Sequence, residues 1–303
     1  EYAGVCGITK EELLTQMSED IDVLAEAQGM TREETIAKLK ENYDGYHFSP
    51  ASPDVFNPYS LLNCFDDKNF GAYWFSSGTP TYLINMLRKF KVLPAKIGRS
   101  LARASAFDAP TENLKTITPL LYQSGYITIK GYDKMSQLFT LDLPNKEIKV
   151  GLFESLLPYY LEGMYAEEGD VAIAQMSVLI RQGDMDGALR LLQEFLGTVP
   201  YCNNTNYEGH YQQVLFIIFT LLTHFVVDVE VHTPNGRVDV VMETEDTLYL
   251  IELKLNKSAQ SAMQQINLKQ YDQRFARCGK PIVKVGVNFD AKKGNIEDWI
   301  IEP

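Results

Sequence analysis

Two apolar runs bounded by turn-forming residues predict two adjacent β-strands in the last quarter of the chain. The segments 237–242 and 248–254 are rich in Val, Ile, Leu and Tyr, and turn-forming residues separate them. Pro234-Asn235-Gly236 precedes the first strand and favours a hairpin there, because Asn-Gly tolerates positive φ at both central positions. The neighbouring segments complete an α-β-β-β-α-β order, with helices predicted at 207–225 and 258–278 and a closing strand at 282–289.

The first 93 residues carry helical signals and predict a helical domain. Thr9 and Thr31 each precede a Glu by three residues, which is the pattern of a capping box, and the predicted helices reach Ala27 and Asn42. Pro follows Asn57 and Thr79 at the first position of two further helices, the second of which ends near residue 90.

The segment 94–150 predicts a winged-helix module. A helix at 114–124 ends at Gly125, and strands at 126–129 and 138–141 form a hairpin around Gly131. Winged helices often bind DNA, but two lysines and two aspartates balance each other on this wing, which favours a packing role. Helices at 151–200 form a connector, and 201–303 is an α/β domain with a mixed central sheet. The predicted fold class is therefore α+β, with several domains.

Three ionisable residues interrupt the two apolar strands. Asp239 lies on the first strand, and Glu252 and Lys254 share one face of the second, because alternate side chains of a strand point the same way. A buried carboxylate costs several kcal/mol unless it is paired. A Mg²⁺ or Mn²⁺ held by Asp239, Glu252 and a backbone carbonyl would remove that cost, with Lys254 beside a metal-bound water. The alternative is an exposed ion pair on an edge strand, with Asp239 solvated, which is nearly neutral in energy.

The spacing of Asp239 and Glu252-Leu253-Lys254 resembles the PD-(D/E)XK nuclease superfamily, although Val238 replaces the Pro that precedes its Asp. The resemblance implies a restriction-endonuclease-like fold whose metal ligands are Asp239, Glu252, the Leu253 carbonyl and Glu208, with Gln265 and Tyr271 in support. Other roles stay open: Glu208 falls in the first turn of the predicted helix, where a carboxylate interacts favourably with the helix dipole, and Gln265 could equally be solvated.

Three upstream segments resemble AAA-ATPase-like proteins that carry such a nuclease domain at their C-terminus. They are Tyr43–Phe48, Phe56–Leu61 and Trp74–Pro80. In that family a P-loop domain precedes these helices. No G-x-x-x-x-G-K-[ST] motif occurs in the 303 residues, and the chain begins at Glu1 rather than Met, so we expect a fragment without the ATPase core that does not bind ATP.

Composition narrows the function classes. The chain is 45% hydrophobic and 22% charged, with no apolar run long enough to span a membrane and four scattered cysteines, so we expect a cytoplasmic protein without a zinc knuckle. The net charge of −12 argues against a general nucleic-acid coat. The leading hypothesis is a metal-dependent nuclease, with DNA a better candidate than RNA. The alternative is a non-catalytic interaction module that uses an inactive nuclease fold.

Overall fold

The computed structural model describes residues 6–76, 81–98, 100–107, 110, 114–161, 166–198, 210–222, 228–232, 237–268 and 279–303. For 76, 166–167, 210–212, 228–232 and 237–239 the description is limited to the backbone. The chain divides into two compact units, 1–152 and 153–303. No helix among the described residues is long and apolar enough to cross a bilayer.

Six helices build most of the first unit, and the capping boxes at Thr9 and Thr31 are confirmed. The helices are α1 (Lys10–Gln16), α2 (Ser18–Gln28), α3 (Arg32–Tyr43), α4 (Pro58–Asp67), the short α5 (Tyr73–Ser76) and α6 (Thr81–Lys89). The prediction of one helix up to Ala27 was wrong, because the chain breaks at Met17. Residues on both sides of the break, Leu13 and Ile21, are fully buried in the same core cluster.

A small three-stranded sheet completes this unit. Its strands β1 (Ser100–Ala102), β2 (Thr128–Asp133) and β3 (Leu138–Asp142) are arranged in the order β1-β3-β2, with antiparallel pairing throughout. The short α7 (Ala104–Phe107) and α8 (Thr118–Gln123) lie between β1 and β2 in the chain.

Two predictions for this segment were wrong in detail. The helix predicted at 114–124 begins only at Thr118, since Pro119 lacks the amide hydrogen that a helix interior needs. The hairpin does not turn at Gly131, which lies within β2 beside a register irregularity, and the chain reverses between Asp133 and Leu138 instead. A glycine inside a strand commonly marks such an irregularity. The winged-helix assignment stays a prediction.

The second unit packs helices around a five-stranded mixed sheet, which confirms the mixed α+β class. The division between the units falls in α9 (Lys146–Tyr160), which is followed by α10 (Ala166–Arg181), α11 (Met185–Thr198), α12 (His210–Leu221) and α13 (Ala259–Leu268). The strands are β4 (Asp228–His232), β5 (Arg237–Glu243), β6 (Leu248–Leu255), β7 (Ile282–Asp290) and β8 (Asn295–Glu302), hydrogen-bonded in chain order.

The sheet follows the predicted element order and adds one strand. β4, β5 and β6 are antiparallel neighbours, and β6 and β7 are parallel with α13 between them in the chain. β8 pairs antiparallel with β7 and was not predicted. Its register passes from Asn288–Asp298 to Phe289–Ile296, so Glu297 is an extra residue. This bulge interrupts the alternation from which a strand is recognised.

Four side-chain contacts attach helix α11 to β8. The Trp299 indole donates to Asp186 Oδ1 at 2.9 Å, and the Arg190 guanidinium lies 5.7 Å from the centre of the Trp299 ring. The Gln193 amide donates to the Ile296 carbonyl at 2.8 Å, while Asn295 donates back to the Gln193 carbonyl at 3.0 Å. The segment predicted as a connector therefore shares one compact unit with the sheet.

Burial raises the pKa of Glu154 in α9 to about 7, and the nearby Asp170 adds to the increase. Because this pKa lies above that of an unfolded Glu, folding is favoured most below pH about 4.5, and stability falls as the pH rises through 7. We expect Glu154→Gln to increase the free energy of unfolding at pH 8 by about 2 kcal/mol and to change it little at pH 4.5. Urea denaturation at the two pH values measures the difference.

The exposed Glu168 of α10 supplies the control. Glu168→Gln should leave the free energy of unfolding within about 0.5 kcal/mol of the wild type at both pH values. A loss of stability at pH 8 in Glu154→Gln would contradict the sign of the effect.

Candidate active site

Strand β6 is the centre of the second unit, and every residue from Leu248 to Lys254 is buried. Leu248 and Leu250 form a core cluster with Met263 and Ile266 of α13, which covers one face of the strand. On the other face the Tyr249 hydroxyl donates to a backbone carbonyl of α10 at 3.4 Å. Burial on both faces explains the nearly continuous apolar run, and it makes any ionisable residue in that run costly.

Glu252 and Lys254 form an ion pair inside this apolar layer. The Lys254 ammonium lies 2.5 Å from Glu252 Oε1, and the side chains are 6% and 1% exposed, respectively. The alternative of a solvated pair on an edge strand is therefore wrong, since β6 is the central strand of the sheet and both groups are out of water. Removing one partner of a buried pair typically costs 3–5 kcal/mol, so each residue depends on the other.

Asp239 is the register partner of Glu252. It lies on β5, and the pairing Asp239–Glu252 belongs to the regular antiparallel ladder between β5 and β6. Directly opposed residues of an antiparallel pair occupy the same face of the sheet. The backbone thus places Asp239 at a position on the α13 side of the sheet, next to Glu252.

Helix α13 brings one predicted supporting residue to the pair. The Lys254 ammonium donates to Gln265 Oε1 at 2.6 Å, so Gln265 is engaged with the site rather than fully solvated. Leu253 is buried, with its side chain on the opposite face of β6 from Glu252. Glu208 and Tyr271, the other two supporting candidates, lie outside the described residues.

A glycine on β7 lets α13 approach the site. Gly286 is the register partner of Glu252, and a Cβ added to it would lie 2.6 Å from the Ala259 carbonyl oxygen and 2.9 Å from the Met263 amide nitrogen. Both are backbone atoms of α13, so only glycine permits this packing. Sequence reasoning missed Gly286 and the buried Asn288, although a glycine and an amide within an apolar strand are the signals that could have identified them.

Comparison with protein families agrees with this geometry. Residues 206–299 match the family model described as the PD-(D/E)XK nuclease superfamily. They form a PD-(D/E)XK nuclease superfamily domain. The matched range includes the strands that carry Asp239, Glu252 and Lys254, and also α13.

A longer similarity covers nearly the whole chain. The chain is 28% identical over 312 aligned positions to an uncharacterized protein in the vnfD 5' region of Azotobacter chroococcum mcd 1, an alignment that covers 99% of this chain and 57% of the relative. The chain thus spans little more than half the length of that relative. Neither comparison shows a relationship to AAA-ATPases.

The residues of the nuclease superfamily domain fit a hard divalent cation. Mg²⁺ and Mn²⁺ prefer carboxylate and carbonyl oxygens, and the register places two acidic residues side by side on one face. Glu252 lies there in an environment with little water, where a second negative charge needs a positive neighbour. Among the residues whose side chains are described, no group of three His, Cys, Asp or Glu residues could hold a metal.

Proposed function

We propose that the PD-(D/E)XK domain hydrolyses phosphodiester bonds of nucleic acid with a bound Mg²⁺ or Mn²⁺. The observation that carries this proposal is the buried Glu252–Lys254 pair on the strand whose register partner is Asp239. The pair is not needed for stable packing, because replacing a buried ion pair with apolar residues is often neutral or stabilising. A catalytic role explains why Asp239, Glu252 and Lys254 occur on these apolar strands.

Each residue has a distinct task in this proposal. Asp239 and Glu252, with the Leu253 carbonyl, would hold the cation, with Glu208 as an outer support. A metal bound there would supply a more acidic water and would stabilise negative charge on the phosphate. Lys254 orients that water through its ammonium, and Gln265 fixes the ammonium by accepting a hydrogen bond at 2.6 Å. Tyr271 is a further supporting residue on the basis of the superfamily resemblance alone.

DNA is the proposed substrate, on the basis of the superfamily resemblance. The net charge of −12 makes broad binding to phosphates unfavourable, so the metal and a few local cations supply the positive charge. Lys257, two residues after the end of β6, is the proposed contact for a phosphate.

The test is incubation of the purified chain with plasmid DNA, single-stranded DNA and RNA of equal length. We expect cleavage of DNA in the presence of Mn²⁺ or Mg²⁺, little cleavage of RNA, and complete inhibition by excess EDTA. Cleavage that persists in EDTA would contradict metal dependence. Binding of DNA without cleavage under every metal condition would support the non-catalytic interaction module instead.

A further inference from the structure

A buried asparagine holds the turn between β6 and α13 through a hydrogen bond. Asn288 of β7 is 3% exposed, and its Oδ1 accepts a hydrogen bond from the Lys257 amide at 3.0 Å. Its Nδ2 donates to Glu297 Oε2 of β8 at 2.9 Å. The Asn288 side chain therefore links the turn before α13 to strands β7 and β8.

The bulge in β8 makes this arrangement possible. Successive residues of a regular strand point to opposite faces, but Glu297 is the extra residue of the bulge. Two consecutive carboxylates can then reach the same side of the sheet. Glu297 binds Asn288, and Asp298 Oδ2 accepts from the Ala259 amide in the first turn of α13 at 3.4 Å.

These contacts lie beside the candidate active site. Asn288 is the register partner of Lys254 on the neighbouring parallel strand, two residues after Gly286. Helix α13 begins at Ala259, immediately after the fastened turn, and carries Gln265 to within 2.6 Å of the Lys254 ammonium. A displacement at the start of the helix shifts Gln265 as well, because backbone hydrogen bonds join the successive turns of this ten-residue helix.

We propose that Asn288, Glu297 and Asp298, termed the β8 latch, are positioning residues that hold α13 so that Gln265 fixes Lys254 for hydrolysis. The inference rests on the proposed nuclease function. It adds three residues that affect hydrolysis only through the position of α13. Since misplacement of a reacting group by about 1 Å can cost a hundredfold in rate, a loosened latch lowers turnover without removing any catalytic group.

The test compares two ways of changing the latch. Asn288→Leu keeps the size of the side chain but removes both hydrogen bonds. The double variant Asn288→Asp with Glu297→Gln retains both, because the new carboxylate still accepts from the Lys257 amide and now also accepts from the Gln amide. Gln264→Ala, at an exposed position of α13, is the control.

Two measurements on the full chain separate the outcomes. In Asn288→Leu we expect hydrogen exchange of the Lys257 and Ala259 amides to accelerate at least about tenfold. We expect kcat for DNA cleavage to fall about tenfold, with KM changed by less than about threefold. The double variant and the control should match the wild type within about threefold in both measurements.

Unchanged hydrogen exchange of the Lys257 and Ala259 amides in Asn288→Leu would show that the β8 latch does not hold the start of α13. Faster exchange with an unchanged kcat would overturn the positioning role. If the double variant behaves like Asn288→Leu, the hydrogen bonds are not the cause, and the proposal fails. A wild type that cuts no substrate would refute the proposed function, while the exchange rates would still decide whether the latch holds α13.

Discussion

Lys254→Met is expected to reduce DNA cleavage at least about 100-fold, because it removes the ammonium that orients the attacking water. The same change takes the cation away from Glu252, whose side chain is 1% exposed. Loss of one partner of a buried pair should lower the free energy of unfolding by about 3 kcal/mol. Initial cleavage rates and urea denaturation measure the two effects separately.

A double variant distinguishes lost chemistry from lost stability. Glu252→Gln combined with Lys254→Met removes both charges and keeps the side chains close to their original size, so most of the stability should return. Cleavage should remain at least about 100-fold below the wild type, since neither the carboxylate nor the amine is present. Recovery of cleavage along with stability would show that the pair serves only the fold.

Gly286→Ala is expected to lower the free energy of unfolding by about 2 kcal/mol, as overpacking does. The new Cβ would come within 2.6 Å of the Ala259 carbonyl oxygen and 3.3 Å of Met263 Cβ, so α13 must move away from β7. Cleavage should fall by about tenfold or more, because Gln265 moves with the helix. Chemical denaturation and initial rates test both expectations.

The matched control is Gly131→Ala in β2. Gly131 also lies inside a strand, but a Cβ there would have its nearest contacts with Thr140 at 3.7 Å, an ordinary van der Waals distance. We expect a change in stability of less than about 0.5 kcal/mol and no change in cleavage. Equal losses in the two variants would mean that the effect comes from replacing a strand glycine and not from the close approach of α13.

The neighbourhood of the candidate site was predictable because its signals are local. An apolar run with two charged residues at alternate positions identified β6, and the facing strand supplied Asp239. The structure adds the direct register of Asp239 and Glu252 and the burial of Lys254. The predicted caps at Thr9 and Thr31 were likewise confirmed, since a capping box involves residues only three positions apart.

Other features depend on contacts that the sequence does not display. The bulge at Glu297 disturbs the alternation of β8, so the strand was missed. The break at Met17 follows from packing of α1 and α2 into one core, without a Pro or Gly to announce it. Gly286 and Asn288 acquire their importance only when α13 lies across β7. Long-range packing decides all three cases.

The most direct test of the central claim is the Mn²⁺-dependent cleavage rate of Asp239→Asn beside that of the wild type. The substitution keeps the shape of the residue that pairs with Glu252 in the sheet but removes its negative charge. The account predicts a cleavage rate below about 1% of the wild type, with the denaturation midpoint retained. A folded Asp239→Asn variant that cuts DNA at the wild-type rate would contradict it.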